Sequence, residues 1–176
     1  MKLKALAIVF AATGIFASVA ANSAPLTSGT VKFEGKILDA GCKVDVTTSN
    51  QTVKLGEWPK DQFTAADQTT AATAFTIKLT ACPEEATSAH VQFSGDEDAT
   101  NPALLAVTGG ATGVGINIMT ADDTQLPING TNDYRYTLAA TPAENSLAFS
   151  AQYQSTAASV GAGDANGTAD FIVNYN

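Results

Sequence analysis

Ala169-Asp170-Phe171-Ile172-Val173-Asn174-Tyr175-Asn176 ends the sequence. Phe171, Val173 and Tyr175 fall on every second position. A period of two puts them on one face of a β-strand. An apolar strand at a sheet edge is normally blunted by charge or proline. Phe171, Val173 and Tyr175 have no neighbouring Lys or Pro, and nothing follows them with which to pair. The opposite problem stands near the start. Gly29-Thr30-Val31-Lys32-Phe33-Glu34-Gly35-Lys36-Ile37 alternates in the same way, yet it lies ahead of Cys42, which should staple the first sheet strand. One end of the sequence therefore predicts an unsatisfied edge, and the other a strand without a partner in its own fold.

Between these ends the same period recurs. Phe75, Ile77 and Leu79 alternate with polar neighbours. So do Val91 and Phe93, then Val114, Ile116 and Ile118, then Leu147, Phe149, Ala151 and Tyr153. Each run predicts a strand with one side on a core and the other toward water. Turn-forming clusters separate them: Ser94-Gly95-Asp96, Thr108-Gly109-Gly110, Ala121-Asp122-Asp123, Asn129-Gly130 and Asp164-Ala165-Asn166-Gly167. No long helical stripe occurs. Residues 64–73 read equally as a helical turn, a loop or a short strand, Val53 and Leu55 as a strand, and 155–168 as a long surface loop. Many short strands separated by turns indicate an all-β antiparallel sandwich. There is no linker, repeat or second globular domain.

Composition narrows the function. The 176 residues suit one domain with its own core. Nine Lys+Arg against 17 Asp+Glu give a net charge of -8, which excludes a nucleic-acid backbone as partner. The chain is 45% hydrophobic and 15% charged, too apolar for generic disorder. One His and one Arg, Arg135, leave most catalytic and metal-site designs without parts. His90 has no nucleophile or orienting carboxylate at a recognisable spacing, so it reads as a strand-edge histidine. Asp96-Glu97-Asp98 does not repeat oxygen ligands at alternate positions as a calcium loop does, and reads as a solvated turn. Asp122-Asp123 reads likewise. Trp58 reads either as a sugar-stacking platform or as packing at the rim of the sandwich. No enzyme, cofactor or metal is expected.

Residues 1–24 read as a signal peptide. Lys2 and Lys4 precede an apolar run from Leu6 to Ile15, too short for a comfortable membrane span, and small residues follow from Ala17 to Ala24. Cleavage is expected between about 20 and 24, giving an exported chain; an N-terminal anchor is the rival reading. Loss of Lys2 and Lys4 brings the mature net charge near −10. In an oxidising compartment Cys42 and Cys82 are most simply one disulfide. The alternative, a metal site, has only His90 as a further soft ligand.

Taken together, Gly29 to Ile37, Ala40-Gly41-Cys42, Gln51-Thr-Val-Lys-Leu-Gly56, Phe75-Thr-Ile-Lys-Leu ahead of Cys82, Phe149-Ser-Ala-Gln-Tyr153 and the closing Ala169–Asn176 resemble a pilin subunit of the chaperone–usher class, close to the type 1 fimbrial major subunit family. Tyr175 is penultimate and Gly163 stands 14 residues from the end. The resemblance covers essentially the whole chain after residue 24. It implies an incomplete immunoglobulin-like sandwich, residues 38–176, lacking its last strand. Residues 25–37 form a donor extension, with Gly29, Val31, Phe33, Gly35 and Ile37 as the donor strand for the groove of another subunit. Gly35 serves either close backbone approach across the groove or a hinge.

The resemblance also implies partners: other pilus subunits in a homopolymer, a periplasmic chaperone and an outer-membrane usher. The chaperone lends its own strand along Ala169, Phe171, Val173 and Tyr175, with Gly163 nearby, and holds the α-carboxylate of Asn176. The expected function is a structural fimbrial subunit, exported through the periplasm into a surface fibre for adhesion. Minor pilus adaptor subunit and small carbohydrate-binding adhesin are the alternatives. Tip adhesins of the family carry an extra lectin domain, for which about 152–156 mature residues leave no room.

Overall fold

The structure is a computed structural model, and it describes residues 31–34 and 41–175. The signal-peptide segment, Gly29, Gly35, Ile37 and Asn176 lie outside the described residues. The chain divides into two units, 1–36 and 37–176. Of the first, residues 31–34 are described; they form no helix or strand, and Val31 and Phe33 are 74% and 93% exposed.

The second unit is an antiparallel sandwich of two sheets. Its strands are β1 (Lys43–Val44), β2 (Thr73–Thr80), β3 (Ser88–Gly95), β4 (Leu105–Ala106), β5 (Val114–Thr120), β6 (Tyr136–Thr137), β7 (Asn145–Ser155) and β8 (Ala169–Tyr175). One sheet has the order β1-β2-β7-β5-β4, the other β6-β3-β8. A four-residue helix, α1 (Val46–Ser49), follows β1. It starts at Asp45, whose Oδ1 accepts from Thr47 N at 2.8 Å and so satisfies one donor of the first turn.

The core lies between the sheets. Phe75, Ile77 and Leu79 of β2 face Phe149 and Leu147 of β7, with register Phe75↔Phe149 and Ile77↔Leu147. Phe75 stacks on Phe149 with ring centroids 5.4 Å apart, and Phe93 of β3 meets Phe149 edge-on at 5.3 Å. These offset and edge-to-face geometries suit the ring quadrupole. Tyr136 joins this group at 5.3 Å from Phe149, and its hydroxyl donates to Ala148 O at 2.7 Å, so the buried phenol keeps a partner. A disulfide joins Cys42 to Cys82, tying the approach to β1 to the end of β2 across 40 residues.

Two sequence expectations are corrected by local geometry. Val53 and Leu55 do not form a strand. They are half-buried and alternate with exposed Thr52 and Lys54, but no ladder forms; side chains hold the run instead, with Gln51 Nε2 donating to Thr76 O at 2.9 Å. Strand β5 does not have one wet side, because all seven of its residues are buried. The fully buried Leu104 lies over Gly115, and Asn117 Nδ2 donates to Gln154 Oε1 at 2.9 Å.

The loop 155–168 is more ordered than its composition implies. Single bridges join Gly161 to Thr112, Asp164 to Gly110 and Asn166 to Thr108. Val160 is buried there with Phe63 and Val114 in a second small cluster. Trp58 packs on that cluster, and its Nε1 donates to Leu55 O at 2.8 Å, which makes it a packing residue of the rim.

Candidate functional site

The site begins with the pairing of β8. On one side it joins β3 in antiparallel register, Ala89↔Tyr175, Val91↔Val173, Phe93↔Phe171 and Gly95↔Ala169. On its other side no strand lies beside it among the described residues. Residues directly opposite share a face, so both sets point to the same core. Their burial differs sharply. Ala89, Val91 and Phe93 are 0%, 1% and 5% exposed, whereas Phe171, Val173 and Tyr175 are only partly buried. On the side of β3 away from β8, Ala89 lies against β6, while Val91 O and Phe93 O accept from Asn132 Nδ2 and Asn129 N of the following loop, each at 2.9 Å; among the described residues β8 has a neighbour on one side only. The apolar face of this sheet is therefore left unfinished along its β8 edge.

The unfinished face is apolar throughout. Phe171 sits 6.4 Å from Phe93, ring to ring. Ala169, Val173 and Tyr175 of the same strand, and Val44, Leu55, Phe75, Val107 and Tyr153 elsewhere, are likewise only partly buried against the core. Such an edge normally carries a blunting device; here the inward set has none, and the single charge on β8 is Asp170 on the outer face.

One end of this edge is fixed. The Tyr175 hydroxyl lies 3.3 Å from Cys42 O, and its ring lies against Gly41, where a Cβ would stand 2.8 Å from Cε2. Burial raises the Tyr175 phenol above its usual range, and the contact with Cys42 O partly offsets this. The disulfide holds Cys42 in turn, so β8 and the approach to β1 are brought together across the two sheets. Gly163 is not part of β8. It lies in the preceding loop, where a Cβ would collide with Ala111 N and Gly110 C, so its use visible here is the close approach of two loops.

The other sequence candidates do not join the inward face of this edge. His90 is on the outer face of β3; its Nδ1 is buried without a partner, and burial lowers its pKa, with Arg135 adding to the effect and Asp133 opposing it. No group of three or more acidic, histidine or cysteine side chains that could hold a metal ion occurs among the described residues. None of their helices is long and apolar enough to cross a membrane. Sequence reading missed the part played by Gly41 and Leu55. Gly41 adjoins a cysteine in the sequence, but only its position beneath Tyr175 explains why it lacks a side chain.

Comparison with known proteins agrees with this architecture. The family model for fimbrial proteins matches residues 31–176. The fimbrial-like protein SfmA of Escherichia coli K12 is 41% identical over 175 residues, covering 96% of this chain and 93% of that one. The type 1 fimbrial subunit of Salmonella typhimurium is 41% identical over 170 residues, covering 90% of each. The crystal structure of a Burkholderia pseudomallei antigen and type I fimbria protein is 34% identical, with a TM-score of 0.60 over 78% of this chain and 91% of that chain. A sandwich with an unfinished edge, a disulfide at its first strand and this degree of identity lead to one assignment: the chain belongs to the fimbrial protein family.

Proposed function

We propose that this structural pilus subunit polymerises by donor-strand exchange, in which residues 29–37 of one copy lie along β8 of the next. The observation that carries the proposal is the burial step across the β3–β8 pair. Phe171, Val173 and Tyr175 are half-covered where their β3 partners are fully covered. An added strand supplies the missing neighbour. This is β-strand addition: ladder hydrogen bonds give affinity, and alternate side chains give specificity.

The donor segment has the matching character. Val31 and Phe33 are exposed in the single subunit. Burying Val31, Phe33 and Ile37 contributes about 5–9 kcal/mol before ladder hydrogen bonds, an upper estimate because ordering the segment costs entropy. Before assembly the same edge needs a temporary cover. A periplasmic chaperone lending a strand along Ala169–Tyr175 and holding the carboxylate of Asn176 provides it, and an outer-membrane usher then exchanges it for the next donor. The route runs through the periplasm to the bacterial surface, with residues 1–24 as the export signal.

Phe33→Asp tests the donor role. It puts a carboxylate into the apolar groove, at a cost of several kcal/mol. The variant is expected to fold with its chaperone and to yield no SDS-stable ladder of subunits. Fibres of normal length from Phe33→Asp would assign the donor role to another segment.

A further inference from the structure

We propose that Lys36 of one copy pairs with Asp170 of the next, and that this ion pair sets the register and direction of the added strand. The inference rests on the donor-strand reading and says how the strand is aligned.

The outer face of β8 carries Asp170, Ile172 and Asn174, alternating with the inward set. Asn174 is already engaged, its Nδ2 donating to Gln92 Oε1 at 3.0 Å. Ile172 is 59% exposed. Asp170 is exposed, and its neighbour across the β3 ladder is the uncharged Ser94. Among the described residues its side chain makes no hydrogen bond, and the ion pair there is Lys78 with Glu144, elsewhere in the fold. The one charge on the open edge strand is thus unmatched among the described residues of its own subunit.

The incoming segment alternates too. With Val31, Phe33, Gly35 and Ile37 facing the groove, Lys32, Glu34 and Lys36 face outward on the same side as Asp170. Size fixes the alignment. The Tyr175 ring is already seated against Gly41 with its hydroxyl on Cys42 O, which leaves Phe171 as the largest inward side chain of β8 for the donor to accommodate; Gly35 is the inward donor position without a side chain, so Gly35 belongs opposite Phe171.

Two directions are then possible. Antiparallel pairing puts Val31 opposite Tyr175, Phe33 opposite Val173 and Ile37 opposite the small Ala169, so every inward position of β8 gains a cover. Lys36 falls opposite Asp170. Parallel pairing puts Phe33 opposite Ala169 and brings Asp39 against Tyr175. It also sets Glu34 opposite Asp170, carboxylate against carboxylate. Directly opposed unlike charges stabilise a strand pair and like charges destabilise it. Size and charge select the same direction.

Carbodiimide coupling of wild-type fibres tests this, because it joins a lysine amine to a carboxylate in direct contact without any substitution. Fibres are grown from a mixture of light and isotope-labelled subunits and digested after coupling. The expected product is a peptide containing Lys36 joined to one containing Asp170, with light and heavy halves mixed. A Lys32–Asp170 product, a Lys36–Asp170 product confined to one label, or coupling of Lys36 only to other carboxylates would overturn the proposal.

A charge exchange gives a second readout. Asp170→Lys is expected to slow assembly roughly two- to five-fold, the span of one cross-strand pair. Adding Lys36→Asp restores the rate; failure to restore it contradicts the pairing. The Phe33→Asp result separates the two levels. If that variant assembles normally, the donor reading itself fails. If it does not assemble and Lys36 couples elsewhere, the donor reading stands and this register is wrong.

Discussion

His90 is the chain's one histidine, and its setting turns a bland surface position into a pH-dependent one. Its Nδ1 is buried and has no acceptor near it. Protonation there would add a donor with no partner, and burial lowers the pKa from 6.5, assisted by Arg135 and opposed by Asp133. A histidine whose folded pKa is depressed favours folding above its unfolded pKa and loses that contribution as pH falls. Stability of the subunit is therefore expected to decline as pH drops below about 6.5. His90→Gln should flatten that part of the profile, measured by denaturant midpoints between pH 7.5 and 5. An unchanged slope would contradict this account of His90. Nothing in the sequence announced the effect, because it depends first on burial of the ring in the fold and then on Arg135, with Asp133 opposing, both over forty positions away. Gly41 was equally illegible at this scale: its use appears only when the ring of Tyr175 is placed over it.

At the scale of elements, period two revealed the long strands, and it did so because each buries one face against the same core. It also aligned Phe171, Val173 and Tyr175 on one side of β8. The short pieces left no such trace. β1, β4 and β6 have two residues each, and the bridges from 108–112 to 161–166 are single pairs, too brief for any repeat to register. The Val53/Leu55 run misled for the converse reason, since alternation records burial and not hydrogen bonding. The β3–β8 pair yields a direct comparison. Phe93→Ala removes a fully covered ring and should cost about 3–5 kcal/mol in the subunit. Phe171→Ala removes a half-covered ring and should cost clearly less there, yet weaken the fibre more than the subunit. Chemical denaturation of both forms would measure this, and equal losses in subunit and fibre would show that the β8 face gains no cover on assembly. The disulfide acts on the same scale. Closing a 40-residue separation is worth roughly 4 kcal/mol through the unfolded chain. Replacing Cys42 or Cys82 by Ser should sharply lower the amount of subunit recovered from the periplasm, and undiminished yield would contradict it.

At the largest scale, the second unit is a sandwich whose core outruns its strands. Phe93 and Phe149 at the centre of the aromatic cluster are fully covered, while Phe171, Val173 and Tyr175 on the β8 side of the same core stay half-covered. The fold class and the mismatch between a spare segment and an open edge were legible from the sequence, since both rest on alternation. The alignment proposed between them was not, because it requires the register of β8 on β3 and the outward position of Asp170. Residues 31–34 are exposed and without secondary structure, and β8 is paired on one side among the described residues; in the proposed assembly they are the two parts of one contact between copies. Hydrogen exchange along Ala169–Tyr175 measures that contact most directly. The comparison is between a subunit with a second copy of residues 25–40 fused behind Asn176 by a flexible linker and the same fusion carrying Phe33→Asp in the added copy. The account predicts at least about tenfold slower exchange of the β8 amides in the first protein than in the second, as ladder bonds protect backbone that was open. Equal exchange along β8 in the two proteins would contradict it.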